Sequence, residues 1–388
     1  MAGAMGLLKD ISVSAIIAGF VTVLVGFTSS AVIVFQAAQA LNASPVEIAS
    51  WMWALGLGMG ITCIGLSLRY RMPVVTAWST PGAALLSTAA AGVTLPEAIG
   101  AFLVSGLLIA LCGFTGWFER AMNRISVAIA SGMLAGVLLR FGLDLFVSMK
   151  TQFTLAFAMF CVYLITRRFK PRYAVISALA IGLIIAGLQG LLHFETLSLQ
   201  LARPVWVGPQ FSLKALIGVA LPLFVVTMAS QNIPGVAVQR ASGYNIPISP
   251  VIGWTGITTL ALAPFGGFAF NLAAITAAIC MGREAHEDPD KRYGAAIAAG
   301  VFYLIVGFLG GTVTSLFAAL PKELVLAIAG LALLGTIGNG LAAALGSEQD
   351  REPALITFLV TASGVTLLGI GSAFWGLVAG GLALLLRK

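Results

Sequence analysis

The segment MPVVTAWSTPGAALLSTAAAG, residues 72–92, places a helix start inside a stretch that is apolar enough to lie in a membrane. It opens with β-branched residues at 74–76 and continues through STPG (79–82) into a run of small residues. A Ser or Thr cap supplies an oxygen for the free amides of a first helical turn, and Pro is tolerated in that turn. Non-helical backbone at this depth must be buried in protein or line a cavity, because bare backbone groups are costly in hydrocarbon. The segment therefore predicts a half-helix that begins near the middle of the membrane, beside a cavity.

The composition is that of an integral membrane protein. Of the 388 residues, 59% are hydrophobic and 9% are charged, whereas roughly a quarter are charged in soluble domains. Gly, Pro and short polar turns interrupt the apolar stretches without period-two alternation, which favours a helical bundle over an outer-membrane barrel. The first stretch continues past Phe35 without a small-residue cleavage site, so we expect a membrane helix there and not a removable signal peptide.

Several other classes of protein are disfavoured by the residue pattern. The four cysteines stand singly in apolar segments, without the spacing of a metal site or of a disulfide framework. The net charge of +7 is explained by basic loops that orient membrane helices, so we expect no nucleic acid as a partner. The spans hold no cluster of His, Cys or acidic residues that would suggest catalysis. We therefore predict a protein that is not an enzyme and has neither cofactor nor metal site.

Fourteen membrane spans account for the apolar segments and for the distribution of charge. With the N-terminus inside, sixteen Lys and Arg residues fall on the cytoplasmic side and four fall outside; Arg140, within a span, completes the 21. This positive-inside bias predicts a multi-pass protein with both termini in the cytoplasm. The spans cover residues 11–40, 46–68, 74–91, 95–117, 125–148, 152–167, 172–192, 212–233, 247–263, 265–281, 291–311, 322–344, 353–370 and 372–386.

The number of spans also predicts an internal symmetry. Fourteen divides into seven and seven, and an odd number per half inserts the second half upside down relative to the first, as in inverted-repeat transporters. We expect a first repeat over residues 1–192, an outside loop over 193–211 and a second repeat over 212–388. The third span then pairs with the tenth, which is broken at residues 264–271 and offers Asn271 as a helix cap.

The two broken spans predict a binding site for an anion. Their half-helices would point their N-termini at one another, and each such end carries roughly half a positive charge and free amides. Polar clusters in the first and eighth spans would close the site, and aromatic residues would accept an apolar ring. The candidate site residues are Ser29, Ser30, Trp78, Ser79, Thr80, Gly82, Gln231, Asn232, Phe268, Phe270, Asn271 and Leu272, with Phe27 nearby. Alternatively, these polar groups satisfy only the broken backbone and neighbouring helices.

Charge within the spans narrows the choice of substrate. The eighth and tenth spans contain no carboxylate, the usual group for binding a cation or relaying a proton, so a cationic substrate is disfavoured. Arg140 and Asp144 in the fifth span are four residues apart and therefore lie on one helix face. The pair is either self-neutralised and structural, or a gate that responds to protons. Small residues such as Gly56, Gly60 and Gly376 indicate close helix packing.

Four long motifs resemble those of the bacterial benzoate/proton symporter family: WSTPGAALL (78–86), PLFVVTMASQNIPG (222–235), AITAAIC (274–280) and LVTASGVTLLGIGSAFWGLVAGG (359–381). The resemblance implies import of benzoate with protons across the inner membrane by a protein that is frequently a homodimer. It also implies the seven-plus-seven fold of uracil and sulfate permeases, with a core of spans 1–4 and 8–11 and a gate of spans 5–7 and 12–14. Gln231 and Asn232 stand where the nucleobase branch would have an acidic residue, which suits a carboxylate ligand.

Two alternatives to benzoate symport remain open at this point. Either the substrate is another anion or a nucleobase, or the protein is an anion facilitator or exchanger without proton coupling. The proton also has two possible routes. It rides on the substrate, because the pKa of a benzoic acid lies near that of Asp and Glu at about 4, or it is taken by Asp144.

Overall fold

The structure, a computed structural model, describes residues 11–89, 92–122, 126–170, 173–192, 201–318, 320–365, 367 and 372–386, and these are mostly helical. The helices are α1 (Val13–Ala40), α2 (Pro45–Tyr70), α3 (Thr80–Ala89), α4 (Leu95–Phe114), α5 (Trp117–Met122), α6 (Val127–Val147), α7 (Phe153–Phe169), α8 (Ala174–Leu188), α9 (Leu213–Ala241), α10 (Ile248–Leu262), α11 (Ile275–Met281), α12 (Tyr293–Ala318), α13 (Lys322–Leu345), α14 (Arg351–Ala362) and α15 (Ser372–Leu386). Two short strands are β1 (Thr76–Ala77) and β2 (Asn271–Leu272).

The helices follow the apolar segments of the sequence closely. Each predicted span contains either one helix or a short strand followed by a helix. Within the described residues, seven helices are long and apolar enough to cross a membrane. The prediction of a helical membrane protein is therefore confirmed, whereas the count of fourteen crossings and the inverted repeat stay predictions. Helix α5 is an addition that the hydropathy pattern did not indicate.

Local sequence signals explain where two of the long helices begin. Ser44 and Glu47 form a capping box at the start of α2, and Thr94 and Glu97 form the same arrangement at the start of α4. In each case the hydroxyl accepts a hydrogen bond from the third residue of the helix while the carboxylate accepts one from the cap amide. Pro in the first turn completes both signals, so each helix begins at a fixed residue.

Glycines bring pairs of helices into close contact. A Cβ added to Gly56 of α2 would lie 2.5 Å from the Cα of Gly307 in α12, and one added to Gly113 of α4 would lie 2.7 Å from the Cα of Gly253 in α10. A Cβ on Gly376 of α15 would likewise approach α14. The predicted small-residue faces are therefore packing surfaces, on which backbone approaches backbone.

The two broken segments meet in the middle of the bundle. Strand β1 pairs with β2 in antiparallel orientation, with Thr76 opposite Leu272 and Ala77 opposite Asn271. One further bond, from the Ala273 amide to the carbonyl of Val75 (2.9 Å), extends the pairing. The pairing satisfies backbone groups that would otherwise be bare inside the membrane. The sequence predicted that the interrupted stretches are buried or line a cavity, but not that they pair with each other.

The described part of the predicted outside loop, from residue 201 onward, runs across four helices. Its backbone amides bond to acceptors near the starts of α2 and α4, just after the end of α10, and within α12 two residues before Gly310. The four pairs are Ala202 with the Phe308 carbonyl, Val205 with Ser50 Oγ, Val207 with the Pro264 carbonyl and Gln210 with the Pro96 carbonyl. This strap ties the four helices together at one end of the bundle.

Candidate functional site

A cavity of about 460 Å³ lies where the two broken segments meet. Its volume is within the range of roughly 300–1,000 Å³ that is typical of small-molecule sites. Helices α1, α3, α9 and α11 supply most of its wall, and α2, α6 and α12 complete it. The lining residues are Val25, Gly26, Ser30, Met59, Ala77, Trp78, Thr80, Pro81, Val137, Phe141, Ser230, Gln231, Pro234, Ala273, Ala274, Ile275, Thr276 and Tyr303.

The start of α3 is capped as the sequence predicts. The Oγ of Ser79 accepts a hydrogen bond from the Gly82 amide (3.1 Å), and the Ser79 carbonyl accepts one from Ala83. Ser79 is fully buried and Gly82 packs on Ser79 and Leu223, so neither of these two predicted site residues lines the cavity. Thr80 does line it, and presents the first turn of α3 to the cavity.

The start of α11 is different, and the prediction that Asn271 caps it is wrong. Asn271 lies in β2, and its Nδ2 donates to the carbonyl of Ala269 (2.9 Å). The residue before α11 is Ala274, which has no side chain that can cap a helix. Ala274, Ile275 and Thr276 line the cavity, so the first turn of α11, whose amides have no side-chain cap, forms part of its wall.

Asn232 and Leu272 bind each other instead of lining the cavity. The Leu272 amide donates to Asn232 Oδ1 (2.9 Å), and both residues are fully buried. Residues 228–232 form a π-helical turn within α9. Its neighbour Gln231 lines the cavity, so adjacent residues of one turn have different roles: Asn232 holds β2 to α9 and Gln231 faces the cavity.

Aromatic and hydroxyl side chains of the first broken segment and α1 form one wall. Trp78 Nε1 donates to Ser30 Oγ (3.2 Å), and Ser30 Oγ donates to the Gly26 carbonyl (2.8 Å). Phe27 packs edge-on against Trp78 with ring centroids 4.9 Å apart, behind the cavity wall. The side chain of Ser29, also a predicted site residue, lies outside the described part of the chain.

Phe268 and Phe270 lie away from the cavity. Phe268 packs against Trp51 and Phe102, with centroid distances of 5.7 and 5.5 Å. The Phe270 ring covers Gly58 so closely that an added Cβ would overlap the ring. These rings fill the interior between α2, α4 and β2, since Gly58 leaves room that no other residue would. The aromatic side chains that line the cavity are Trp78, Phe141 and Tyr303, and the last two carried no sequence signal beyond an apolar span.

Charge is absent from the cavity wall as far as the structure describes it. None of the lining residues is Asp, Glu, Lys, Arg or His. Arg140 and Asp144 lie on α6 close to Phe141, with Nε and Oδ2 4.0 Å apart. The Arg140 side chain is 88% exposed and that of Asp144 is 30% exposed, so the pair is loose and lies outside the cavity.

A ligand-sized cavity between broken helices of a membrane bundle is the arrangement of a membrane transporter. Comparison with known proteins places the chain within this class. A model of the benzoate membrane transport protein family matches residues 9–386, and the chain belongs to that family. It is an integral, multi-pass membrane transport protein and not an enzyme, as the sequence predicted.

Two relatives extend over almost the whole chain. The inner membrane protein YdcO of Escherichia coli (strain K12) is 52% identical over 366 residues, which are 94% of each chain. The benzoate membrane transport protein of Acinetobacter baylyi (strain ATCC 33305 / BD413 / ADP1) is 44% identical over 375 residues, 97% of this chain and 95% of that one. The solved structure of SLC26A9 matches with a TM-score of 0.52 at 13% identity, covering 98% of this chain and 66% of the other, so the two share a fold.

Proposed function

We propose that this protein imports benzoate or a similar aromatic carboxylate together with protons across the bacterial inner membrane. The observation that carries the proposal is the uncharged cavity, with helix starts on its wall, in a member of the benzoate transport family. A carboxylate is an anion that amides and hydroxyls at a helix start can hold without a basic side chain. The named relative from Acinetobacter supports benzoate as the first substrate to test.

The carboxylate is proposed to bind at the first turn of α11, opposite Thr80. Ala274, Ile275 and Thr276 offer amides there, and the hydroxyls of Thr80 and Thr276 offer further donors. Both helix starts contribute partial positive charge. Gln231 adds an amide on the α9 side, where a nucleobase carrier would be expected to have an acid.

The ring is proposed to lie among apolar side chains on the other side of the cavity. Trp78, Phe141 and Tyr303 supply aromatic surface, and Val25 supplies aliphatic surface. The other predicted site residues have a supporting role in this proposal. The two broken segments are held in place by Ser79, Gly82, Asn232, Asn271 and Leu272, and the space behind them is filled by Phe268 and Phe270.

Transport is proposed to follow alternating access between a core and a gate. The core comprises predicted spans 1–4 and 8–11, and the strap from residue 201 onward supports its rigidity because it ties α2, α4, α10 and α12 together. The gate comprises spans 5–7 and 12–14, and its helix α6 contributes Val137 and Phe141 to the cavity. The seven-plus-seven repeat, the homodimer and the cytoplasmic termini belong to the same proposal.

The experiment that tests this function is uptake of radiolabelled benzoate into proteoliposomes, with and without an inward proton gradient. We expect accumulation above the external concentration only with the gradient, and competition by substituted benzoates but not by uracil. Equilibration without accumulation would identify a facilitator or exchanger. Absence of benzoate flux in protein that is monodisperse and folded would refute the substrate assignment.

A further inference from the structure

A second, smaller chamber of about 240 Å³ lies beyond the substrate cavity, at the other end of α11. Its wall is mostly polar, in contrast to that of the first cavity. The wall comes from α6, α7, α9, α13, the end of α11 and the loop after it. The residues that matter below are Leu134, Arg167, Met281, Arg283, Glu284 and Arg292.

The same three helices, α6, α9 and α11, line both chambers. Helix α11 has its first turn at the substrate cavity and its last residue, Met281, at the second chamber. Its seven residues span about 10 Å at 1.5 Å per residue. On α6, Val137 lines the first cavity and Leu134, one turn away, lines the second. Helix α9 also contributes to both. The second chamber therefore continues the first toward the side that the charge distribution predicts to be cytoplasmic.

Arginines dominate the charge of the second chamber. Arg292 is held in place by hydrogen bonds from its Nη1 to the Met281 carbonyl (2.9 Å) and from its Nε to the His286 carbonyl (2.8 Å). A guanidinium has five N–H donors, and Arg292 also donates from its Nη2 to the Glu287 carbonyl (3.5 Å) and bonds to Tyr244, so it acts on the chamber mainly through its charge. Its charge lies at the C-terminal end of α11, where carbonyls point outward.

A second arginine reaches the chamber from a different part of the bundle. Arg167 of α7 lies over the ring of Tyr163, with the guanidinium carbon 5.7 Å from the ring centroid, and its Nη1 donates to the Tyr163 hydroxyl (3.3 Å). Arg283 adds a third positive charge from the loop. Three arginines at a single chamber can hold a carboxylate through charge-assisted hydrogen bonds.

Glu284 is the acidic residue of this chamber. Its carboxylate packs on α13 at Gly335, where an added Cβ would lie 3.0 Å from Oε1. Among the residues that the structure describes, no salt bridge joins this carboxylate to an arginine. The other faces of the chamber, on α6, α9 and α13, carry no ionisable side chain. Arg167, Arg283 and Arg292 therefore give a positive chamber that Glu284 only partly neutralises.

We propose that this chamber is a second binding site for the transported carboxylate, occupied as the anion leaves toward the cytoplasm. The inference rests on the proposed function and adds a site on the exit route. Arg167 attracts the anion and Glu284 repels it, so the two residues have opposite effects on occupancy. Neither residue lines the first cavity.

The test compares fluxes from the two sides of the membrane. Uptake of radiolabelled benzoate is measured in right-side-out and in inverted membrane vesicles for the native protein, Arg167→Gln and Glu284→Gln. We expect Arg167→Gln to raise, and Glu284→Gln to lower, the half-saturating concentration on the cytoplasmic side by about threefold to fivefold, the effect of one partly exposed charge. The half-saturating concentration on the outer side should not change.

Arg168→Gln is the matched control, because Arg168 is the next residue of α7 and does not line the chamber. Equal effects of Arg167→Gln and Arg168→Gln, or a change of the same sign in Arg167→Gln and Glu284→Gln, would overturn the proposal. Structural damage cannot imitate opposite signs in two variants. If vesicles that contain the native protein show no benzoate flux, the proposed function itself is refuted. Failure of the function and failure of the second site therefore give different results.

Discussion

The two broken segments differ in how their helices begin, although both begin at the same cavity. In the first, Ser79 caps α3 and accepts the Gly82 amide. In the second, α11 follows Ala274 and has no side-chain cap from the described residues. The first helix start is thus partly satisfied by the protein itself, whereas the second leaves its amides at the cavity wall.

This difference indicates that the start of α3 has a structural role and the start of α11 has a binding role. A capped start is stable without ligand and serves as a fixed wall. An uncapped start retains amides for an acceptor that comes from outside the chain, and a carboxylate is such an acceptor. We therefore expect changes at α11 to affect transport more than stability, and changes at the cap of α3 to do the reverse.

The largest effect is expected for Ala274→Asp, which places a carboxylate at the proposed anion site. Charge at a helix start is worth up to about 2 kcal/mol when partly buried, so substrate affinity should fall by up to roughly 30-fold. Benzoate uptake and binding by purified protein measure the loss. Ala274→Cys has nearly the same size as the Asp variant without its charge or its capping oxygen, and it should retain most of the uptake. Equal losses in both variants would show that volume and not charge is responsible, and would contradict an anion site at α11.

A pair of adjacent residues in α9 tests whether support and binding can be separated. Asn232→Leu removes the acceptor of the buried Leu272 amide, and leaving such a group unsatisfied should cost about 1–3 kcal/mol of stability. Gln231→Leu should instead reduce affinity for benzoate with little change in the unfolding temperature, because Gln231 faces the cavity. Thermal unfolding in detergent measures the change in stability of both variants, and substrate binding measures the change in affinity. If both variants change the unfolding temperature and the benzoate affinity in the same way, Asn232 and Gln231 do not have separate roles.

The cap of α3 is expected to contribute an intermediate effect. Ser79→Ala should lower stability by about 1 kcal/mol, the usual cost of losing a helix cap. Uptake by the folded fraction should remain close to native, since Ser79 does not line the cavity. Ser79→Thr keeps a hydroxyl and serves as the control. A loss of affinity without a loss of stability in Ser79→Ala would reverse the roles assigned to the two helix starts.

The sequence predicted the features that depend on neighbouring residues. STPG at 79–82 gave the cap and start of α3, and the apolar segments gave the positions of the helices. The same reasoning placed Ser30, Trp78, Thr80 and Gln231 at the site, and all four line the cavity.

Features that depend on distant contacts were not predictable in this way. Asn271 has the residue type of a cap, but pairing between β1 and β2 places it in a strand three residues before Ala274. Phe268 and Phe270 are close to the break in sequence, yet the glycine at position 58 and the Trp51 ring determine where they pack. Phe141 and Tyr303 reach the cavity because α6 and α12 pack there, which no local motif indicates.

The smallest effect is expected for Gly26→Ala, and it concerns selectivity. An added Cβ would lie 3.4 Å from the Tyr303 hydroxyl and 3.5 Å from Thr276 Cγ2, which are distances at or near ordinary van der Waals contact. The variant should therefore fold as the native protein does, while its methyl group narrows the cavity between α1 and α11. A narrower pocket discriminates against larger ligands, so ring-substituted benzoates should lose affinity before benzoate does. Competition assays with benzoates of increasing size measure this order, and an unchanged order would place the ring away from Gly26.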